Sequence, residues 1–429
     1  MGSRRSTWLK DLQGQALKVL MYWESRPSRI RRMVRSHNLQ SQGLLRRIDP
    51  TALRLAAVQM QLELVGSPEA YVEQVVALGR QAAEQGAQLI AFPEDTSTPL
   101  LGLLPGFKEL ARQPLDDALK SMGETVKPVD VFRLAGTPVR RIYTAVFSEV
   151  ARRLQVYVHG GSALLPGADG HVYNVAHLFG PDGRLLGMQR KAHLLPLESE
   201  WGLSTGDSLQ VIDTAMGRVG IPVCMDATYW ETFRILYLQG ADLAVLPAAN
   251  PEPYDEWRVI RGLWARLQES PMYGIQSCMV GNLFGMTLTG RSGIFGPAAI
   301  SPQGDGVWAR LDDPESEGVA AATVDLKALY AHRTSMGLDQ AFNPILYERY
   351  FPEVYQRLER RRDRRTRGAG GRGGRKGRNR RPSSRSGPPD GPTSDRPDRR
   401  PRRGPGQGPG QVRPDGSIAA SEQPGAGQR

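Results

Sequence analysis

Val219-Gly-Ile-Pro-Val-Cys-Met-Asp-Ala-Thr-Tyr-Trp-Glu231 is the stretch on which the reading of this chain turns. It runs β-branched and apolar into Cys224, becomes polar, and continues as an amphipathic run through Leu238 to Gly240. That order spells strand, sharp turn and helix, with a thiol at the turn. A nucleophile there is exposed at the end of a sheet. The first N–H groups of the helix that follows favour negative charge nearby. The G-x-S-x-G elbow uses the same geometry with serine. A small buried cysteine ending a core strand fits the same pattern, so the neighbouring segments have to decide.

They are α/β in character. Leu53–Met60 reads as a strand, residues 70–85 as a helix with Gly86 at its C′ position, and Leu89–Phe92 as a short buried strand. Pro93-Glu94-Asp95 follows at once, so this β-α-β unit carries a carboxylate just past its second strand. Residues 96–142 mix short helical patches with prolines and are long for a connection, which marks an inserted lid or subdomain. A helix is expected over 143–154, then a strand Val156–His159 ending at Gly160-Gly161, a strand Val172–Phe179, a hairpin turn Gly180–Gly183, and Leu185–Gln189 leading into Arg190-Lys191. Beyond the cysteine turn, Asp242–Leu246 reads as a buried strand ending at Pro247, 255–269 as a helix and 274–281 as a strand. Strand-rich segments follow over 290–302 and 319–324, and 327–359 is helical or extended with several aromatics.

The formal net charge of +12 belongs to the ends of the 429-residue chain. Residues 1–50 hold 11 Lys/Arg against 3 Asp/Glu, and residues 360–429 hold 20 against 6, leaving 25 against 35 for the mildly acidic middle. Inferences from basicity are therefore confined to the termini. In the N-terminal extension, 1–50, Trp8, Leu12, Leu17, Leu20 and Trp23 are spaced for helical apolar faces, with Arg29, Arg31, Arg32 and Arg35 following. Such a segment either lies on an anionic membrane surface or packs as a helix on the domain or a partner subunit. Residues 360–429 are Arg-, Gly-, Pro- and Ser-rich, offer little to bury, and are expected to be disordered. Their RGG-like start suits salt-dependent contact with RNA or another polyanion, or serves only as a solubilising tail. With only Cys224 and Cys278 there is no disulfide framework, and a reducing, cytoplasmic setting is expected, with the N-terminal segment as the route to any peripheral membrane contact. No secretory signal or transmembrane run is evident.

Glu94, Lys191 and Cys224 thus all fall at expected strand ends. A thiol nucleophile needs a base and something to hold a developing oxyanion. A lysine beside it would lower its pKa, and a carboxylate shielded from water suits a base near neutrality.

At these residues the chain resembles the nitrilase superfamily, the carbon–nitrogen hydrolases, in its amidase- or carbamoylase-like branch. Leu53–Gln59 with Ile90-Ala-Phe-Pro-Glu94 resembles the family's first strand and glutamate motif. Arg190-Lys-Ala-His-Leu194, with Glu198 and Ser204-Thr-Gly-Asp207, resembles the lysine motif. Gly220-Ile-Pro-Val-Cys-Met-Asp226 with Glu231 resembles the cysteine motif. Ala265-Arg266 with Glu269, Asn282 with Gly285, and Gly290-Arg-Ser292 resemble later signature positions, so the likeness covers roughly 53–335. Thr228, Trp230 and Ser270 depart from common family residues, and the segment after Glu94 is longer than in compact members.

The resemblance implies one domain over 51–359 with a four-layer α-β-β-α sandwich, working as a homodimer or larger homo-oligomer, and a chemistry that needs no metal or organic cofactor. It implies hydrolysis of a non-peptide C–N bond in a linear amide or N-carbamoyl compound, with water as co-substrate. Glu94 would be the base, Cys224 the nucleophile that forms a thioester, and Lys191 with the backbone N–H of Met225 the oxyanion donors. Glu198, or else Glu200, would be the second glutamate. Nitrile hydrolysis by the same triad is the alternative within this class. A scaffold whose basic tails bind RNA or anionic membrane is the alternative outside it. His159, His171, His177 and His193 show no metal-ligand spacing. His193 is expected to be structural, Asp226 a helix-start carboxylate, and Cys278 a core residue.

Overall fold

The computed structural model describes residues 21–41, 43, 48–122, 126–260 and 262–370. The expected apolar positions Trp8 to Leu20, and the tail beyond Gly370, lie outside these residues.

Period-two alternation builds the centre. In β1 (Leu53–Leu62), Leu53, Leu55 and Ala57 face one buried cluster while Ala56, Val58 and Met60 face another. β2 (Leu89–Ala91) does the same, with Leu89 and Ala91 inward and Ile90 outward. In β8 (Leu243–Ala248), Leu243 and Val245 join the cluster shared with β1, whereas Ala244 and Leu246 face a third. Strands buried on both faces need helices outside. α2 (Pro68–Glu84) and α5 (Pro128–Leu154) cover one outer face, and α7 (Trp230–Leu238) and α9 (Leu263–Glu269) cover the other. The result is the expected α-β-β-α layering.

The ladder runs β5-β4-β3-β2-β1-β9-β8-β7-β6. It comprises β3 (Tyr157–Pro166), β4 (Val172–Phe179), β5 (Leu185–Arg190), β6 (Val211–Thr214), β7 (Gly217–Gly220) and β9 (Tyr273–Leu283) besides those above. β1 pairs in parallel with β2 and β9, and antiparallel with β13 (Gly318–Val324) in the register Leu53↔Val324 to Gln59↔Gly318. Parallel β1, β2, β3, β7, β8 and β9 bring several carboxyl ends to one rim, where ligands of open α/β sheets bind.

Four local expectations are corrected. The helix expected over 143–154 begins at Pro128 and runs through Pro138. Pro128 occupies the first helical turn, where its missing N–H costs nothing. A continuous buried face including Phe132, Ala135, Val139 and Ile142 holds the helix across Pro138. β3 does not stop at Gly160-Gly161 but passes through them to Pro166 with a register shift between His159 and Ser162. β7 ends at Gly220, and a 3-10 turn Cys224–Thr228 separates it from α7. The helix over 255–269 is two, α8 (Glu256–Ile260) and α9.

Of the N-terminal extension, α1 (Pro27–Ser36) buries Ile30 and Val34 in the core cluster shared with α2 and α5. Arg29 pairs with Glu69 and Arg35 with the buried Glu149, both at 2.9 Å. This described part therefore packs on the domain. No helix among the described residues is long and apolar enough to cross a membrane.

The chain divides into two units after Asn343. In the second, a helix over Pro344–Gly370 runs through residue 360 without a break, with Tyr347, Phe351 and Tyr355 in edge-to-face contact along it.

Candidate active site

Cys224 stands at a strained corner. Its φ is +43°, in the left-handed region that non-glycine residues seldom adopt. Such outliers persist only where surrounding contacts over-determine them, and Asp226 supplies those contacts. Its fully buried carboxylate accepts from the N–H groups of Val223 (2.9 Å) and His193 (2.8 Å) and lies 2.8 Å from His193 Nδ1. One side chain thus ties the cysteine turn to the loop that follows Lys191. Asp226 does cap its own turn, as expected, but its larger effect is this cross-link. His193, stacked on Tyr229 at 4.1 Å, is structural as expected. From the other side Arg266 Nε donates to Ala227 O at 3.1 Å and pairs with Glu269 at 2.8 Å.

Lys191 follows β5 directly. Its N–H donates to Asn174 O (2.8 Å), and its carbonyl accepts from Gly206 N (2.7 Å). A Cβ on Gly206 would lie 2.6 Å from Arg190 O, so only glycine permits that approach. The buried ammonium reaches Glu94 Oε1 at 2.8 Å and Glu198 Oε2 at 2.7 Å. Glu198 also caps α6 (Pro196–Trp201) by accepting from Leu195 N at 2.7 Å. Glu200, two residues on, is exposed.

Glu94 sits just past β2 and is buried. Its loop rests on the β3 bulge. Ser162 N donates to Pro93 O (3.3 Å), Asp95 N to Ser162 Oγ (3.1 Å), and Thr96 Oγ1 to Gly160 O (2.7 Å). Gly161, at φ +69°, makes this possible, because a Cβ there would fall 1.9 Å from Pro93 O. The carboxylate accepts from Asn174 Nδ2 (2.8 Å), Lys191 Nζ (2.8 Å) and Ala249 N (3.0 Å). It is also a hydrogen-bond partner of the Cys224 thiol, whose Sγ lies 3.8 Å from Asn250 Oδ1.

The structure thus brings Glu94, Lys191, Glu198 and Cys224 together. Asn174, Ala249 N and Asp226 complete the arrangement and were not expected in these roles. Asn174 had a readable signal, as the lone amide in the run Val172–Phe179, which is buried throughout.

Burial raises the Glu94 pKa. Lys191 opposes that and Glu198 reinforces it, so the net direction is upward. Burial acts to lower Lys191, but Glu94, Cys224 and Glu198 outweigh it and keep the ammonium charged. Lys191 acts to lower the Cys224 pKa, as expected, but burial first and the Glu94 charge second outweigh it and push the thiol well above its ordinary value. These directions favour the neutral thiol at Cys224. Cys278 is buried in β9, as expected. Among the described residues no cluster of His, Cys, Asp or Glu is arranged to hold a metal ion.

A family model for carbon–nitrogen hydrolases matches residues 54–334, and the chain belongs to that family. Among known proteins it is 29% identical to the probable hydrolase YhcX of Bacillus subtilis (strain 168), over 66% of this chain and 51% of that protein. It is 30% identical to the human omega-amidase NIT2, over 46% of this chain and 64% of that one. The chain therefore spans between half and two thirds of the length of these relatives. A carbon–nitrogen hydrolase structure from Helicobacter pylori G27 superposes with a TM-score of 0.51 at 21% identity, covering 69% of this chain and 97% of that one, and so shares its fold.

Proposed function

We propose that the protein hydrolyses the C–N bond of a linear amide or N-carbamoyl compound through a thioester on Cys224. The observation that carries this reading is the buried Glu94–Lys191–Glu198 cluster facing a thiol on a left-handed corner. Glu94 takes the thiol proton as Sγ attacks the carbonyl carbon, and burial raises its pKa, the direction that makes it a stronger base. The tetrahedral oxyanion is met by Lys191 Nζ and the N–H of Met225. The first turn of the 3-10 segment leaves such N–H groups without a partner inside the helix. Glu94 returns its proton to the leaving nitrogen, the C–N bond breaks, and the acyl group remains on sulfur. Water then gives a proton to Glu94 and attacks the thioester, the C–S bond breaks, and Glu94 returns that proton to the departing sulfur, releasing the acid and restoring the thiol. Glu198 positions Lys191 throughout, and Asn174 orients the Glu94 carboxylate between the two glutamates.

The test is ammonia release by the intact protein over amides, N-carbamoyl compounds and nitriles, beside Glu94→Gln. Turnover of amides or carbamoyl compounds that falls in the variant is expected. Turnover confined to nitriles would move the assignment to nitrile hydrolysis, and none across the panel would defeat it.

A further inference from the structure

Beside the mouth that holds Cys224, a second cavity adjoins the charged cluster. It measures about 120 Å³, and Glu94, Lys191 and Glu198 form its polar end. The rest of its wall is almost wholly apolar. From the inserted segment come Leu101, Phe107, Ala118 and Phe132. Trp201, Met279 and Phe284 face them.

The chamber is built rather than incidental. Phe107 meets Phe284 edge-to-face at 5.9 Å, and Phe132 meets Trp201 at 6.2 Å. Backbone bonds Leu115 N to Phe284 O (3.0 Å) and Phe284 N to Ala111 O (2.9 Å) fasten the insertion to the β9 hairpin turn. Leu195 and Pro251 line both this chamber and the mouth that holds Cys224, so the two spaces meet across them.

Charge narrows the occupant. Among the described lining residues Lys191 is the sole cation, and it is already bonded to both glutamates. Asp95 also lines the chamber, and its Oδ1 is buried without a partner. A carboxylate entering here would face Glu94 and Glu198, with no cation among the described lining residues beyond the Lys191 that both already hold. An apolar cavity of about 150 Å³ takes benzene, so the apolar part of this chamber has room for a group of about that size or slightly less.

We infer that the chamber holds the acyl side of the substrate, and that this acyl group is uncharged and apolar, with about four to six carbons. This assignment rests on Cys224 as acyl carrier. The acyl group stays tethered through the thioester step and needs a fixed enclosure, whereas the amine and the attacking water exchange through the polar mouth beside Asn250 and Tyr254.

The experiment titrates acetamide, butanamide, hexanamide and the monoamide of adipic acid against Cys224→Ala protein at equilibrium, with ammonia release by the intact protein measured in parallel. Affinity should rise about fourfold per methylene from acetamide to hexanamide. The adipic monoamide should bind at least about tenfold more weakly than hexanamide, the factor expected for leaving one partly screened charge unpaired. Ala118→Phe, which fills the chamber, should lower the ratio of hexanamide to acetamide affinity. Met286→Ala, which enlarges it, should extend the rise to longer chains and keeps the test usable if the first variant does not fold. Affinity independent of chain length, or equal for the charged ligand, overturns the assignment. Chain-length-dependent binding without turnover by the intact protein supports the chamber and defeats the hydrolase reading instead.

Discussion

The charged wall of the site and the apolar wall of the chamber beside it are made differently. The charged wall stands on strand ends. Glu94, Lys191 and Cys224 each follow a strand within a few residues, and each is clamped by backbone bonds, by Asp226 or by a glycine that permits close approach. The apolar wall stands on helices of the insertion and on a hairpin turn, joined by aromatic contacts. The charged groups are thus held by the rigid sheet, while the apolar chamber is walled largely by an attachment to it.

Breaking the charged wall gives the largest effect. Lys191→Ala removes the proposed oxyanion donor and should lower kcat about 10²–10³-fold, the equivalent of about 2.7–4 kcal/mol, read by ammonia release. An unchanged kcat would show that the wall acts through something other than this ammonium. Beneath that wall, Gly161→Ala forces a Cβ against Pro93 O and a residue other than glycine into φ +69°. Strain and overpacking together should cost about 2–4 kcal/mol in urea unfolding.

A pH profile sharpens the division between the walls. Glu94 must be ionised to act as base, and burial raises its pKa. The acid limb of kcat/KM should therefore lie above the ordinary carboxylate range and vanish from the residual activity of Glu94→Gln. A limb near the ordinary carboxylate value would place Glu94 in water.

The smallest effect belongs to Asp95, which sits where the walls meet. Its pKa is raised well above the usual value by burial first and by Glu94 and Glu198 next. The folded state then holds a proton that the unfolded chain has already lost, so this group's contribution to stability falls as pH rises from the unfolded pKa toward the folded one. Asn tolerates the +59° φ of this position. Asp95→Asn should thus raise Tm relative to the parent more at pH 8 than at pH 4. The opposite trend would mean that Asp95 is paired as an anion.

Much of the charged wall was legible because its residues follow period-two strands and fall in recognisable local runs. Leu53–Gln59, Leu89–Ala91 and the runs into Lys191 and Cys224 each carry their own signal. What joins these runs is not local. Asn174 lies 80 residues from Glu94, and Asp226 reaches back 33 residues to His193. The upward direction of the thiol pKa depends on burial that no linear spacing reports. The apolar wall was legible only as an insertion. Pro138 reads as a helix breaker, and the packed face that overrides it is visible only in three dimensions. Gly160-Gly161 likewise reads as a strand end, although the carbonyl of Pro93 needs a glycine inside a continuing strand.

The central claim is that acyl transfer passes through Cys224. It is tested most directly by ammonia release from hexanamide with the intact protein and Cys224→Ala side by side. The account predicts turnover by the intact protein and none above background in the variant, whose unfolding transition should remain cooperative. Release that survives in the variant would contradict it.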